Sequence, residues 1–415
     1  MRARPSRAAP RLAARLAIAW LLAGPALAAA QPSDDASLEP FEHGAPPLAP
    51  LGASPLEPGE DPTDDHADDA PPPASQARRE RQYVLQNTWE GSVGGLRVVD
   101  AGSGAPGSFR VQLAGSSFAL DGWLDPPGRE LHFGGALSVG WTPFDALEIY
   151  GSAASLWLET EAPGRTRLNG DARFGLKAWA TPLAWLRLGA DAAIDFRSLF
   201  GDAALTLDTT SVSLRANATL DLRELDGVEG RIPLIVRLNG GYRFDHSDAI
   251  VRAREQTRYD ALPAEGPDAR RPFEEEARHR IGRLERFALG VDRVDRLRFG
   301  VGLELPIELA AEQTTLSPLL EWTMDVPVNR QGFVCVPSAR PEVDPCLSEL
   351  GPDALRSRLT LGVRVMPPVR GLAITLTLDV GLTGVHAHAR ELAAQEPYRV
   401  LLGLGYAYDT TLPRH

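Results

Sequence analysis

The chain has 415 residues and a formal net charge of −12. This acidic balance leaves no basic surplus to meet phosphates, which argues against a nucleic-acid partner. After the N-terminal region no apolar run reaches the roughly 18 residues that a transmembrane helix needs, so we expect no membrane-spanning helix. The length allows either several soluble domains or one large barrel with a tail.

Residues 1–30 are typical of a secretory signal peptide. Five arginines lie within the first 15 residues, and a short apolar run follows at 16–22. Small residues at Ala28 and Ala30 provide an A-x-A cleavage site, so we expect the mature chain to begin at Gln31. The apolar run is too short to serve as a membrane anchor.

Residues 31–94 are predicted to form a disordered, acidic, proline-rich linker in the periplasm. The segment contains the acidic run 61–69 and three consecutive prolines at 71–73. Such a composition cannot bury enough apolar surface to offset the entropy of folding.

Residues 95–410 are predicted to form an all-β, antiparallel, up-and-down transmembrane β-barrel. The stretch 212–222 alternates apolar and polar residues, and the pattern returns at 232–244 and again at 372–382. Alternation with a period of two puts the two sets on opposite faces of a strand. Each run is about as long as the 9–11 residues of a membrane-spanning strand, and an apolar outer face with a polar inner face is typical of such barrels.

The connections between the alternating runs indicate about 12 strands. Long connections are expected near 119–130, 159–167, 197–210, 246–284, 327–356 and 385–396, and short ones near 142–145, 181–184, 224–230, 306–314 and 367–370. Long extracellular loops that alternate with short periplasmic turns are typical of these barrels. Fourteen strands is the alternative, with an extra strand at 96–99 and a split of 287–305.

The two cysteines, Cys335 and Cys346, lie in one predicted extracellular loop. In an exported protein this spacing favours a disulfide over two free thiols or half of a metal site. We expect no metal site and no cofactor.

The same alternation predicts which charged side chains line the lumen. The predicted lumen residues are Asp171, Arg173, Lys177, Arg187, Asp191, Asp195, Arg215, Asp221, Arg237, Arg243, Arg298, Glu304, Glu321, Arg364 and Asp379. One interpretation is a charge-lined channel for small polar solutes. The other is a network of ion pairs that fills the barrel and blocks flow. A barrel of twelve strands is compatible with both.

The end of the strand region resembles a known signal. Residues 403–408 (GLGYAY) resemble the terminal-strand insertion signal of outer-membrane barrels. Residues 97–111, 322–331 and 358–371 resemble a group of Gram-negative outer-membrane barrels of the OmpA-like and porin-like kind. The resemblance implies the fold and an outer-membrane location but no substrate, and it does not extend to the OmpA-like wall-binding domain that often follows such barrels.

No motif for an active site is present in the sequence, so we expect a protein that is not an enzyme. The predicted function is that of an outer-membrane barrel, either a porin-like channel or a structural envelope protein. An extracellular-loop protein for binding or adhesion is the alternative, and a barrel hydrolase is a weaker one. The expected partners are outer-membrane lipids and either a small solute or an extracellular ligand. The sequence does not indicate an oligomeric state.

Overall fold

Twelve antiparallel strands close into a barrel, as the sequence predicts. The computed structural model describes residues 85–124, 128–160, 167–199, 206–225, 232–263, 279–309, 314–330, 335, 345–369, 371–386 and 388–408. The predicted signal peptide and residues 31–84 of the predicted linker lie outside these ranges.

The barrel strands are long, and most have more than ten residues. They are β3 (Phe109–Asp121), β4 (Arg129–Phe144), β5 (Leu147–Thr160), β6 (Arg167–Leu183), β7 (Leu186–Leu199), β8 (Thr206–Asp221), β9 (Ile235–Phe244), β10 (Asp295–Glu304), β12 (Thr314–Asn329), β13 (Arg356–Met366), β14 (Leu372–Thr383) and β15 (Tyr398–Tyr408). Two short strands, β1 (Gln86–Asn87) and β2 (Val93–Gly94), precede them, and β11 (Ile307–Leu309) lies between β10 and β12.

Each barrel strand pairs with its neighbours in the chain, and two pairings complete the ring. The last strand, β15, pairs with the first, β3, so that Leu404 lies opposite Leu113. Strand β10 pairs with β12, with Gly302 opposite Glu321. A closed ring leaves no strand edge unpaired, which is what a sheet in a membrane requires.

Proline explains why β11 is separate from β10. The two strands are separated by Leu305 and Pro306, and both pair with β12. Proline has no N–H to donate to the ladder and interrupts it. One interrupted strand therefore occupies this part of the wall. The count is twelve rather than fourteen, because 287–289 belong to a helix and 96–99 form no barrel strand.

The two faces of the wall have opposite chemistry, and β14 illustrates this. Ile374 and Leu376 point outward and are 42% and 49% exposed. Thr375, Thr377 and Asp379 alternate with them, point inward and are buried. Each strand thus turns apolar side chains to the outside and polar ones to the lumen, as in barrels that contact lipid.

The two ends of the barrel also differ. At one end the strands are joined by turns as short as residues 145–146 and 184–185. At the other end the longest connections are 245–294 and 330–355, and their described residues contain three α-helices. These helices are α1 (Asp248–Asp260), α2 (Arg283–Leu289) and α3 (Leu347–Leu350). We refer to the turn end and the loop end of the barrel below.

Apolar clusters order the loop end. Phe287 of α2 packs with Phe118, Trp123 and Leu158 above the barrel wall. A second cluster joins α1 to the chain before and after α2, and a third joins α3 to residues 389–392. The long connections therefore pack over the lumen as a folded cap.

The described chain begins inside the barrel rather than in a linker. Residues 85–94, which the sequence assigned to the linker, include β1 and β2 and are largely buried. Val93, Leu96, Val98 and Val99 are among the most buried apolar side chains. The composition of 31–94 as a whole is polar, and this average concealed the apolar residues at its end.

A disulfide joins Cys335 to Cys346 in the loop between β12 and β13, in agreement with the sequence prediction. Cys346 immediately precedes α3 and is buried. Within the described ranges, no helix is long and apolar enough to cross a bilayer.

Removing this disulfide is expected to destabilise the loop locally by about 2–3 kcal/mol, because a short loop loses its closure. The untreated, denatured protein should contain no reactive thiol, and reduction should release two. A thiol titration with and without reductant checks this, and two thiols before reduction would contradict the disulfide. Cys335→Ser/Cys346→Ser should increase proteolysis of the loop while leaving the barrel strands intact.

Candidate functional site in the barrel lumen

The structure places all fifteen predicted lumen residues on the inner side of the wall. Asp171 lines a chamber in the lumen. The other fourteen form hydrogen bonds or ion pairs inside the barrel. Their partners are of two kinds, other wall residues and the segment 85–108. We call residues 85–108 the plug.

The plug folds back on itself in the half of the lumen nearest the turn end. Its two short strands pair antiparallel, and Gly94 also bridges to Val99. Many of its hydrogen bonds to the wall, however, join a barrel side chain to plug backbone, and a similar number join side chains to side chains. Backbone groups in a dry interior need partners, and here charged wall residues supply many of them.

Glu321 of β12 is the first of these anchors. Its carboxylate accepts hydrogen bonds from the backbone N–H groups of Leu96, Arg97 and Val98, at 3.1, 2.8 and 3.2 Å. A Cβ atom at Gly95 would lie 1.9 Å from a Glu321 carboxylate oxygen. A side chain at this position would have to move the Glu321 carboxylate and so break its hydrogen bonds to the plug.

Glu148 of β5 is the second anchor and lies just after the turn at 145–146. It accepts from the Ser92 hydroxyl and the Val93 N–H, both at 3.1 Å. It is also paired with Lys177 at 2.5 Å and with Arg110 at 2.9 Å. Since Glu148 and Lys177 are fully buried, this charge cluster depends on its own partners rather than on water.

Two arginines form the third anchor. Arg364 donates to the carbonyls of Gly94 and Gly95, each at 3.1 Å. Arg237 donates to Asp100 of the plug at 3.1 Å. The same two arginines pair with Glu304 of β10, at 2.9 and 2.7 Å, so one wall carboxylate orients both.

The plug also has charges of its own, and Glu90 faces the most cations. It lies 3.1–3.3 Å from Arg173, Arg215 and Arg298. Burial alone would raise the pKa of Glu90, but the three arginines outweigh burial and lower the pKa well below its usual value. Glu90 is therefore ionised at neutral pH and holds the tip of the plug by charge.

Wall charges remain compensated without the plug, because most of them also pair with one another. Asp191 pairs with Arg215 at 2.9 Å, and Asp195 with Arg173 at 2.9 Å. Glu148 keeps Lys177, and Glu304 keeps both of its arginines. Removal of the plug would expose these pairs to water without separating them, whereas Glu321 would exchange its plug partners for water.

A chamber of about 340 Å³ lies in the lumen between the plug and the cap. Trp89, Glu90 and Arg97 of the plug line it on one side, and residues 287–290 on the other. The wall between them is rich in arginine, including Arg243 of β9. The plug and the cap thus enclose a polar space of the size found in small-molecule sites.

The sequence did not single out Glu90, Arg97, Asp100 or Glu148. The signal for Glu148 was present, because it shares the inward parity of β5 with Tyr150. The plug residues offered no such signal, since two-residue strands have no measurable alternation. Their role depends on contacts between distant positions of the chain, such as the 137 positions between Asp100 and Arg237 and the 224 between Arg97 and Glu321.

No protein-family model and no curated protein matches the chain. Solved structures with a similar fold are outer-membrane β-barrels. The β domain of the Bordetella autotransporter BrkA is 10% identical, with a TM-score of 0.36 over 73% of this chain and 100% of that one. An outer-membrane channel from Pseudomonas putida F1 is 11% identical, with a TM-score of 0.40 over 74% and 98%. LpxR from Salmonella typhimurium is 9% identical, with a TM-score of 0.35 over 72% and 99%. With TM-scores below 0.5, these similarities identify neither a family nor a function, and the OmpA-like resemblance stays a prediction.

Proposed function

We propose that this protein is an outer-membrane barrel that passes small polar solutes, and that its plug closes the lumen at rest. The observation that carries the proposal is the way the plug is held. Three charged residues of the wall, Glu321, Glu148 and Arg364, form side-chain hydrogen bonds with the plug backbone. Hydrogen bonds to water can replace such contacts, whereas an apolar core could not be opened in this way.

The wall supports the same proposal, because most of its charges stay paired when the plug leaves. A lumen with paired carboxylates and guanidinium groups is stable when it is filled with water. The mixed signs favour small polar solutes over one class of simple ion.

The apolar outer face supports the proposed location. Large apolar side chains on β6, β8 and β14 are between a third and two thirds exposed, among them Phe174, Leu214 and Leu376. A soluble protein rarely presents so extended an apolar surface, but lipid covers it.

The location predicts a simple fractionation result. The protein is expected in the outer-membrane fraction and resistant to extraction by alkaline carbonate, because lipid contacts hold it. Folded protein should also migrate faster than boiled protein in detergent gels. Recovery of folded protein from the soluble periplasm without detergent would contradict the membrane location.

Planar-bilayer conductance tests the role of the plug. The wild-type barrel should show almost no steady conductance. Gly95→Val should produce discrete conductance steps, because the new side chain would overlap the Glu321 carboxylate and displace the plug. Glu321→Ala should do the same by removing the acceptor of three backbone N–H groups.

Gly240→Val is the matched control. A Cβ atom at Gly240 would meet no atom within 4 Å, and the residue lies on the outward face between Asn239 and Gly241 of β9. This variant should stay closed. If the two plug variants fold and remain as silent as the control, the barrel is structural rather than a channel.

A further inference from the structure

We infer that the chamber between the plug and the cap is a binding site for a small organic anion, a carboxylate on a compact ring. The inference deepens the proposed function and rests on it, because it names the class of solute that the lumen accepts. Three features of the chamber wall support it. They are the excess of arginines over carboxylates, the buried polar groups without hydrogen-bond partners, and the apolar side chains on part of the surface.

Positive groups outnumber negative ones on the chamber wall. Eight arginines line it, against five carboxylates. The arginines are Arg97, Arg197, Arg243, Arg296, Arg298, Arg356, Arg358 and Arg399, and the carboxylates are Glu90, Asp171, Asp292, Asp325 and Glu396. Arginine is the side chain best suited to carboxylate recognition, because its planar fork matches the two oxygens.

Most of the wall carboxylates are already shared between arginines. Asp292 pairs with Arg296 and Arg356, and Glu396 pairs with Arg358 and Arg399. On the inner face of β14, Asp379 adds a further carboxylate near Arg97 and Arg358. Asp195 and Asp245 do the same for Arg243, and Asp245 also for Arg296. These carboxylates hold the arginines in place and have little capacity left to bind a cation.

The groups left without partners include donors at the chamber. The Nε atoms of Arg296 and Arg399 are buried and have no hydrogen-bond partner. Both ring nitrogens of His132 are also unpartnered, although His132 is only 1% exposed and lines the chamber. The Ser116 hydroxyl beside it is unpartnered as well. Buried polar groups in folded proteins normally have partners, and an anionic ligand would supply the missing acceptors.

The strands bring these groups to one place. His132 of β4 lies opposite Phe118 of β3 and stacks on it at 4.6 Å between ring centroids. On the other side of β3, strand β15 pairs Val400 with Ser117. The preceding residue, Arg399, therefore lies beside Phe118 on the inner face. His132 and Arg399 therefore flank Phe118, and both line the chamber.

Apolar side chains form another part of the chamber surface. Trp89 of the plug, Leu156 of β5 and Phe287 of α2 all line it. A flat or compact ring packs on such side chains while its charged end meets the arginines. The volume of about 340 Å³ lies at the lower end of the range for small-molecule sites, which limits the ligand to one ring with short substituents.

Calorimetric titration of the purified full-length barrel in detergent tests the inference, with benzoate and benzamide as probes. The two molecules have the same ring and similar size, but only benzoate is charged. Benzoate should bind, and benzamide should bind at least tenfold more weakly. Arg399→Gln should weaken benzoate binding at least tenfold, and His132→Phe, which keeps the stacking on Phe118, should weaken it severalfold.

Arg252→Gln is the matched control. Arg252 lies on α1 outside the chamber and its side chain is 66% exposed, so benzoate affinity should not change. Gel mobility of folded and boiled protein shows whether each variant is folded. Equal affinity for the two probes, no benzoate binding at millimolar concentration, or full affinity in both chamber variants would overturn the inference.

The titration is independent of conductance. A barrel that binds benzoate but stays silent in bilayers after plug displacement would retain the anion site and lose the proposed channel role. A barrel that conducts after plug displacement but binds neither probe would retain the channel role and lose the anion site.

Discussion

Replacing Glu148 by alanine is expected to destabilise the folded barrel by about 3–5 kcal/mol, because it removes one partner from a buried charge cluster. Lys177 would lose the carboxylate that lies 2.5 Å from its ammonium group, and Arg110 would lose a contact of 2.9 Å. The Ser92 hydroxyl and the Val93 N–H of the plug would lose an acceptor as well. Urea unfolding in lipid vesicles measures the change.

A double-mutant cycle separates the pair from its surroundings. Glu148→Gln and Lys177→Met are made singly and together. The double variant should lose about 1–3 kcal/mol less free energy of unfolding than the two single variants lose together, because no unpaired charge remains. Glu308→Gln, at an exposed carboxylate of β11, should change stability by less than about 0.5 kcal/mol.

An effect of Glu148→Ala below about 1 kcal/mol would contradict this account. It would mean that water reaches Lys177 in the folded barrel and replaces the carboxylate. In that case the plug could not seal the turn end of the lumen, and the wild-type barrel should conduct.

The architecture was readable from the sequence because a membrane barrel has a strict repeating constraint. A strand that faces lipid on one side and a wet lumen on the other must alternate, so the inward parity of residues such as Arg215 and Asp379 follows directly. The alternation also sets the lengths of the connections, and these give the number of strands. The predicted boundaries were shifted by a few residues, as at 144–147, where strands continue into the turn.

The plug was not predictable in the same way. Its residues form hydrogen bonds and ion pairs with lumen side chains rather than with neighbouring strands of a regular sheet. Such contacts leave no periodic pattern in the sequence. Arg97 was placed in the barrel region and residues 85–94 in the linker, yet both belong to one segment that contacts five or more strands. Helix α1 was also not predicted. It lies in a long insertion rich in charged residues, and only four of its thirteen residues are buried, so its apolar pattern is weak.

The hydrogen-bond partners of the lumen charges could not be predicted from the sequence either. From the sequence, a charge-lined channel and a network of ion pairs were alternatives. The structure contains the ion pairs, but the side chains of Glu321, Lys177 and Arg364 also form hydrogen bonds with plug backbone. The same residues thus line the lumen and hold the plug in it.

Acid is expected to destabilise the cap side of the chamber through Glu396, which precedes β15. Burial alone would raise the pKa of Glu396, but Arg399 and Arg358 outweigh burial and lower the pKa from 4.5 to about 2. A carboxyl group whose pKa is lowered by folding stabilises the protein above its unfolded pKa. That contribution is lost as the pH falls from about 4.5 toward 2.

A lowering of this size corresponds to about 3 kcal/mol at neutral pH. At pH 7, Glu396→Gln should therefore be less stable than the wild type by an amount of this order, and the difference should largely disappear at pH 2. Urea midpoints of both proteins in vesicles, measured across this range, give the comparison. Subtracting the two curves removes the titration of the other carboxylates.

The exposed carboxylate Glu308 again provides the control, since Glu308→Gln removes a carboxylate that is exposed and should change stability at pH 7 by less than about 0.5 kcal/mol. A Glu396→Gln difference that stays constant from pH 7 to pH 2 would contradict the ionised state of Glu396. Arg358 and Arg399 would then lack their shared carboxylate. The chamber wall would carry a larger positive excess than its ion pairs indicate, and benzoate should bind more tightly still.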